Sequence, residues 1–108
     1  FNISMTTLDK LVPGATHAHI AVEKRDTKAI TSIDPAILLT KDRDGETPLH
    51  YAATNNDIEM CKILINMNPS IVHIKDIDGK TAYDWALAYN EEYNGSHNDV
   101  CDFLANYY

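Results

Sequence analysis

Two cysteines, four glycines and one tryptophan are spread over 108 residues, and positive charge is scarce, with 9 lysines and arginines against 16 aspartates and glutamates. Each shortage removes a class of function. Cys61 and Cys101 are too few for a disulfide framework, so a reducing compartment, cytoplasm or nucleus, is expected. The sequons Asn2-Ile3-Ser4 and Asn94-Gly95-Ser96 would then be accidental. No Gly-rich phosphate loop, serine elbow or paired-cysteine zinc pattern occurs, so nothing positive supports an enzyme or a cofactor. The formal charge of −7 is uneven: residues 1–33 hold four basic and three acidic groups, residues 34–108 five and thirteen. With no basic stripe to displace counterions, nucleic acid is a poor partner. An acidic face suits a basic protein segment and would speed its encounter, although a solvated surface explains the charge more plainly. No apolar run is long enough for membrane insertion, and no signal-peptide pattern opens the chain.

What the chain does have is a repeat. Asp44-Gly45-Glu46-Thr47-Pro48-Leu49-His50-Tyr51-Ala52-Ala53 returns as Asp78-Gly79-Lys80-Thr81-Ala82-Tyr83-Asp84-Trp85-Ala86-Leu87, at an offset of 34. Asp34-Pro35 aligns with Asn68-Pro69 at the same offset. Upstream, Thr16-His17-Ala18-His19 matches Thr47-Pro48-Leu49-His50 at 31, which implies a three-residue deletion between Ile33 and Asp34, at the end of a helix. Downstream, Met60-Cys61 matches Val100-Cys101 at 40, so about six residues are inserted around Glu91 to Ser96. The domain at 15–108 thus divides into repeats of roughly 15–41, 42–75 and 76–108, after an N-terminal extension or linker at 1–14. A period near 33 marks a solenoid of stacked helical hairpins, which works by displaying a surface.

Local chemistry agrees. Thr47 is an N-cap and Pro48 takes the first helical position, where its missing N–H costs nothing. Leu49, Ala52 and Ala53 turn one apolar face inward, and the alanines let a second helix come close. Asn55-Asn56 make the turn, since asparagine tolerates the left-handed conformation. Asp57 caps a second helix whose buried stripe is Met60, Cys61, Ile63 and Leu64. Gly45 and Gly79 fall at hairpin tips. His17-x-His19 could hold a metal only on a strand, because helical residues two apart point to different faces. Asp42-Arg43-Asp44-Gly45 starts like a calcium loop, but its glycine comes fourth rather than sixth, so no metal is expected.

With Thr47, Pro48, Leu49 and His50 as its signature, the central repeat resembles an ankyrin repeat, and the likeness extends over nearly all of the chain after residue 14. The resemblance implies an all-α ankyrin-repeat solenoid of helix–turn–helix units with short β-hairpin or loop tips. It implies that His50 hydrogen-bonds from one repeat to the backbone of the next. Asp84 replaces that histidine in the last repeat, which therefore reads as a C-terminal cap closed by Tyr83, Trp85 and Phe103. His73 stands near the asparagine that some family members offer to an intracellular hydroxylase, and its modification is a lesser expectation.

Family ligands lie in a concave groove. Carried over, the tips give Lys41, Arg43, Asp44, Glu46, Lys75, Ile77, Asp78 and Lys80, and the first helices give Glu23, Lys24, Thr54, Asn55, Ala88 and Tyr89. Ile77 and Tyr89 are the sharper candidates, since apolar and aromatic anchors dominate interfaces. Tyr89 could instead pack under the insertion. The expected function is a monomeric protein–protein interaction module without catalysis. The alternative is a regulatory or targeting tail of a larger protein, such as an enzyme or a long acyl-CoA-binding protein. An excised fragment is expected from a chain opening on Phe1, and Asp84 argues against further repeats after Tyr108.

Overall fold

The computed structural model describes residues 16–108, so the extension or linker expected at 1–14 lies outside the described residues. Among the described residues six helices run in chain order: α1 His17–Glu23, α2 Thr27–Thr31, α3 Pro48–Thr54, α4 Ile58–Met67, α5 Ala82–Glu92 and α6 Asn98–Ala105. Short 3-10 turns, η1 Pro35–Leu39 and η2 Pro69–His73, follow α2 and α4. Helices pair as α1–α2, α3–α4 and α5–α6, with α1, α3 and α5 stacked in an inner layer and α2, α4 and α6 in an outer one.

Each element has a local cause. Thr16, Thr47 and Thr81 stand in extended conformation ahead of α1, α3 and α5 and share a capping box with the residue three places on. Asp26 and Asp57 cap the outer helices, accepting from Ala29 N at 3.1 Å and Met60 N at 3.2 Å. Between the paired helices the chain turns through the left-handed region at Arg25 (φ 56°) and Asn56 (φ 55°), which are equivalent positions. Asp34 and Asn68 then open the 3-10 turns ahead of Pro35 and Pro69 by accepting from Ala36 N and Ser70 N.

The core is a continuous seam. Ala18, Val22, Leu49, Ala52, Ala53, Ala82 and Ala86 come from the inner layer; Ile30, Met60, Cys61, Leu64, Val100 and Leu104 come from the outer one. Leu38, Ile71 and Val72 of the 3-10 turns seal the seam beneath. Burying one such leucine or isoleucine stabilises the fold by about 1.5–3 kcal/mol. Burial pushes the Cys61 thiol up to about 12 and raises Cys101 as well, so both stay protonated apolar filler.

Two expectations need correction. The buried stripe of α4 is Met60, Cys61, Leu64 and Ile65, while Ile63 is half-exposed. Ile63 instead lines a shallow outer depression of about 580 Å³ with Lys62, Asn66, Phe103 and Tyr107. Of the three residues expected to close the end of the core, Tyr83 and Phe103 do pack against it partly buried, whereas Trp85 stands half-exposed and turns its indole to the Asp76 carboxylate. The tips take the loop form of the expected hairpin or loop: without a strand among the described residues, they are closed by Asp42 N to Glu46 O at 3.0 Å and Asp76 N to Lys80 O at 2.9 Å.

Candidate functional site

Aspartate builds each tip. Asp42 Oδ1 accepts from Asp44 N at 2.9 Å and Glu46 N at 3.0 Å, while Oδ2 accepts from the Tyr51 hydroxyl at 2.6 Å. Asp76 repeats the arrangement with Asp78 N at 2.9 Å, Lys80 N at 3.0 Å and the indole Nε1–H of Trp85 at 2.6 Å. Burial would push Asp76 up, but the bonds from Trp85, Lys80 and Asp78 outweigh it and hold the carboxyl below its ordinary value. Charge-assisted bonds of this kind are strong, so the tips are rigid.

Histidines join one repeat to the next. The backbone N–H of Thr47 can only donate, and it reaches His50 Nδ1 at 3.1 Å. Nδ1 is therefore the bare lone pair, and Nε2 holds the proton that is donated to the Lys80 carbonyl at 2.9 Å. His19 does the same between Thr16 N at 3.0 Å and the Glu46 carbonyl at 2.7 Å. Burial lowers both histidines, against the raising effect of those carbonyls, so both rings are neutral. His17, two residues from His19, is exposed and takes no part.

The tips also touch each other. Ile77 N donates to Asp44 O at 2.9 Å, and Lys41 Nζ reaches Lys75 O at 3.3 Å. This leaves Lys41, Arg43, Asp44, Lys75, Ile77, Asp78 and Lys80 as exposed side chains on one locked ridge, with Ile77 73% exposed. Glu46 is half-buried beneath them, and burial, then the charges of Asp42, Asp76, Asp44 and Asp78, raise its carboxyl to about 7. On the inner helices, Asn55 Nδ2 donates to Glu23 Oε1 at 2.7 Å, and Thr54 and Asn55 are half-exposed. Glu23, Lys24 and Ala88 are exposed.

Tyr89 sits in an aromatic row. It stacks on Tyr93 at 5.9 Å and on His97 at 5.5 Å, and lies 6.4 Å from Trp85 in a tilted arrangement. His97 anchors this end by donating from Nε2 to the Thr54 carbonyl at 2.8 Å, with its backbone N–H on Asn90 Oδ1 at 2.8 Å. Tyr89 therefore packs against the inserted segment and still exposes part of its ring.

Sequence reasoning missed Tyr51 and Trp85 as tip residues. The signal was there: each lies nine residues after the aspartate that it serves. Tyr93, 55% exposed, was also missed because the insertion has no repeat counterpart to reveal it, and His97 because its counterpart, Asp57, is a helix cap of different chemistry. At the far end Tyr108 stacks on Tyr83 at 5.1 Å and donates to the Val72 carbonyl. Among the described residues no three His, Cys, Asp or Glu side chains converge as a metal site would require. A family model described as ankyrin repeats, in three copies, matches residues 18–108. No curated protein matches the chain.

Proposed function

Because the chain belongs to the ankyrin repeat family, whose domains are generally non-catalytic modules for binding other proteins, we propose that it grips a protein segment through its tips and concave groove and performs no catalysis itself. The observation that carries this reading is Ile77. A large apolar side chain stands 73% exposed on a loop whose backbone is bonded to Asp44 on one side and to the Asp76 carboxylate on the other. An apolar anchor held on rigid backbone needs little ordering when a partner arrives. Buried, protonated cysteines fit a cytoplasmic or nuclear setting.

The test is affinity capture from cell extract with the wild-type chain and with Ile77→Asp. A specific protein is expected, bound about 10-fold more weakly by the variant at an unchanged melting temperature, in keeping with the loss of an interface anchor. Capture that survives the substitution would remove Ile77 and the tips from the interface. The alternative, a regulatory or targeting tail of a larger protein, is decided by the full open reading frame and by whether the captured protein alters an activity elsewhere in it.

A further inference from the structure

Lys80 is exposed, and the ion pairs among the described residues are Arg25–Asp57 and Lys62–Glu59, so among those residues Lys80 has no carboxylate partner. Its ammonium lies instead 4.5 Å from the centroid of the Trp85 ring, closer than the 5.9 Å between Lys62 and Phe103. Tryptophan offers the best aromatic face for a cation. Here the ring is enriched from its edge, because the indole N–H is given to the Asp76 carboxylate at 2.6 Å, which pushes electron density into the π system. The surroundings point the same way: Asp42, Asp44, Asp76 and Asp78 together help raise the Glu46 carboxyl. Tyr89 on α5 and Tyr93 just past its end continue the half-open aromatic surface, the kind of surface along which the stem of a long cationic side chain lies.

Resting on the interaction module proposed above, we infer that the face of Trp85 is the receptor for an arginine or lysine side chain of the bound protein segment, occupied by Lys80 in the free chain and surrendered to the partner's cation on binding. Arginine fits better than lysine, since its planar guanidinium stacks on an indole and is less strongly hydrated. The partner's chemistry is thereby set as a basic segment with one long cationic side chain laid across α5.

Trp85 is the sole tryptophan, so its fluorescence reports this site alone. The 108-residue chain is titrated at low salt with a blocked, glycine-flanked arginine peptide and with the same peptide bearing citrulline, which has the shape of arginine without its charge. A saturable emission change with arginine and none with citrulline is expected. Lys80→Met removes the resident cation and should tighten arginine binding about 3-fold, the scale of one exposed cation–π contact. Lys80→Gln repeats the test with a polar replacement, and circular dichroism checks that both variants fold. Equal responses to the two peptides, or an affinity untouched by removing Lys80, overturn the receptor. If the arginine peptide is silent while Ile77→Asp still weakens the captured protein, the receptor falls and the interaction module stands; if nothing is captured either, both fall.

Discussion

A methyl group added to Gly45 would meet Ile77 N at 2.8 Å and the Asp76 carbonyl carbon at 3.1 Å, whereas one added to Gly79 would meet nothing within 4 Å. Both glycines are left-handed, at φ +78° and +77°, so alanine at either costs about 1–2 kcal/mol in backbone strain. Gly45→Ala must also push one tip off the other, and urea melts are expected to show it at least about 1 kcal/mol less stable than Gly79→Ala. Tyr51→Phe tests the aspartate tie: it takes the hydroxyl donor from a buried carboxylate and should cost about 1.5–3 kcal/mol by the same assay. The glycines and the Thr47 cap were legible in the sequence because each acts through its own backbone, and the bond of His50 because the ankyrin resemblance implied it. The bonds from Tyr51 to Asp42 and from Trp85 to Asp76 were not, since an apolar stripe and a ring with one polar atom look alike until the fold sets their direction.

At the scale of elements, the insertion shows where sequence alignment stops short. Its position was readable from the changed offset, but not that it lengthens α5 to 11 residues against the 7 of α3 and then returns through Asn94 and Gly95, both left-handed. The return is held by His97 on the Thr54 carbonyl and by Gly95 N on Asn90 O at 2.7 Å. His97→Ala should therefore lower stability by about 1–2 kcal/mol and speed amide exchange at Gly95, while the amides of α3 keep their protection. Equal exchange at Gly95 in both proteins would show that the segment holds itself. The deletion near Ile33 was equally readable, and the structure shows its effect as an outer helix of 5 residues in α2 where α4 has 10.

Over the whole molecule, opposed titrations shape the response to pH. His19 and His50 are lowered in the fold from 6.5, so their contribution is complete above that value and is lost as pH falls below it. Each proton that the unfolded chain binds and the folded chain refuses steepens the loss by about 1.4 kcal/mol per pH unit. Asp76, lowered from 3.8, adds its own loss only in stronger acid. Glu46 runs the other way: raised from 4.5 to about 7, it favours the fold below 4.5 and that gain fades as pH rises through 7. Glu46→Gln should thus raise the melting temperature at pH 8 and leave it nearly unchanged at pH 4, and a benefit that is equal at both would refute the assignment. The histidine relay has one more outcome, and it concerns synthesis. His50 leaves a ribosome 30 residues before the carbonyl that will accept its hydrogen bond, and His19 leaves 27 before its own. The first two hairpins are thus born with an unquenched donor, and each is completed only when its successor has emerged.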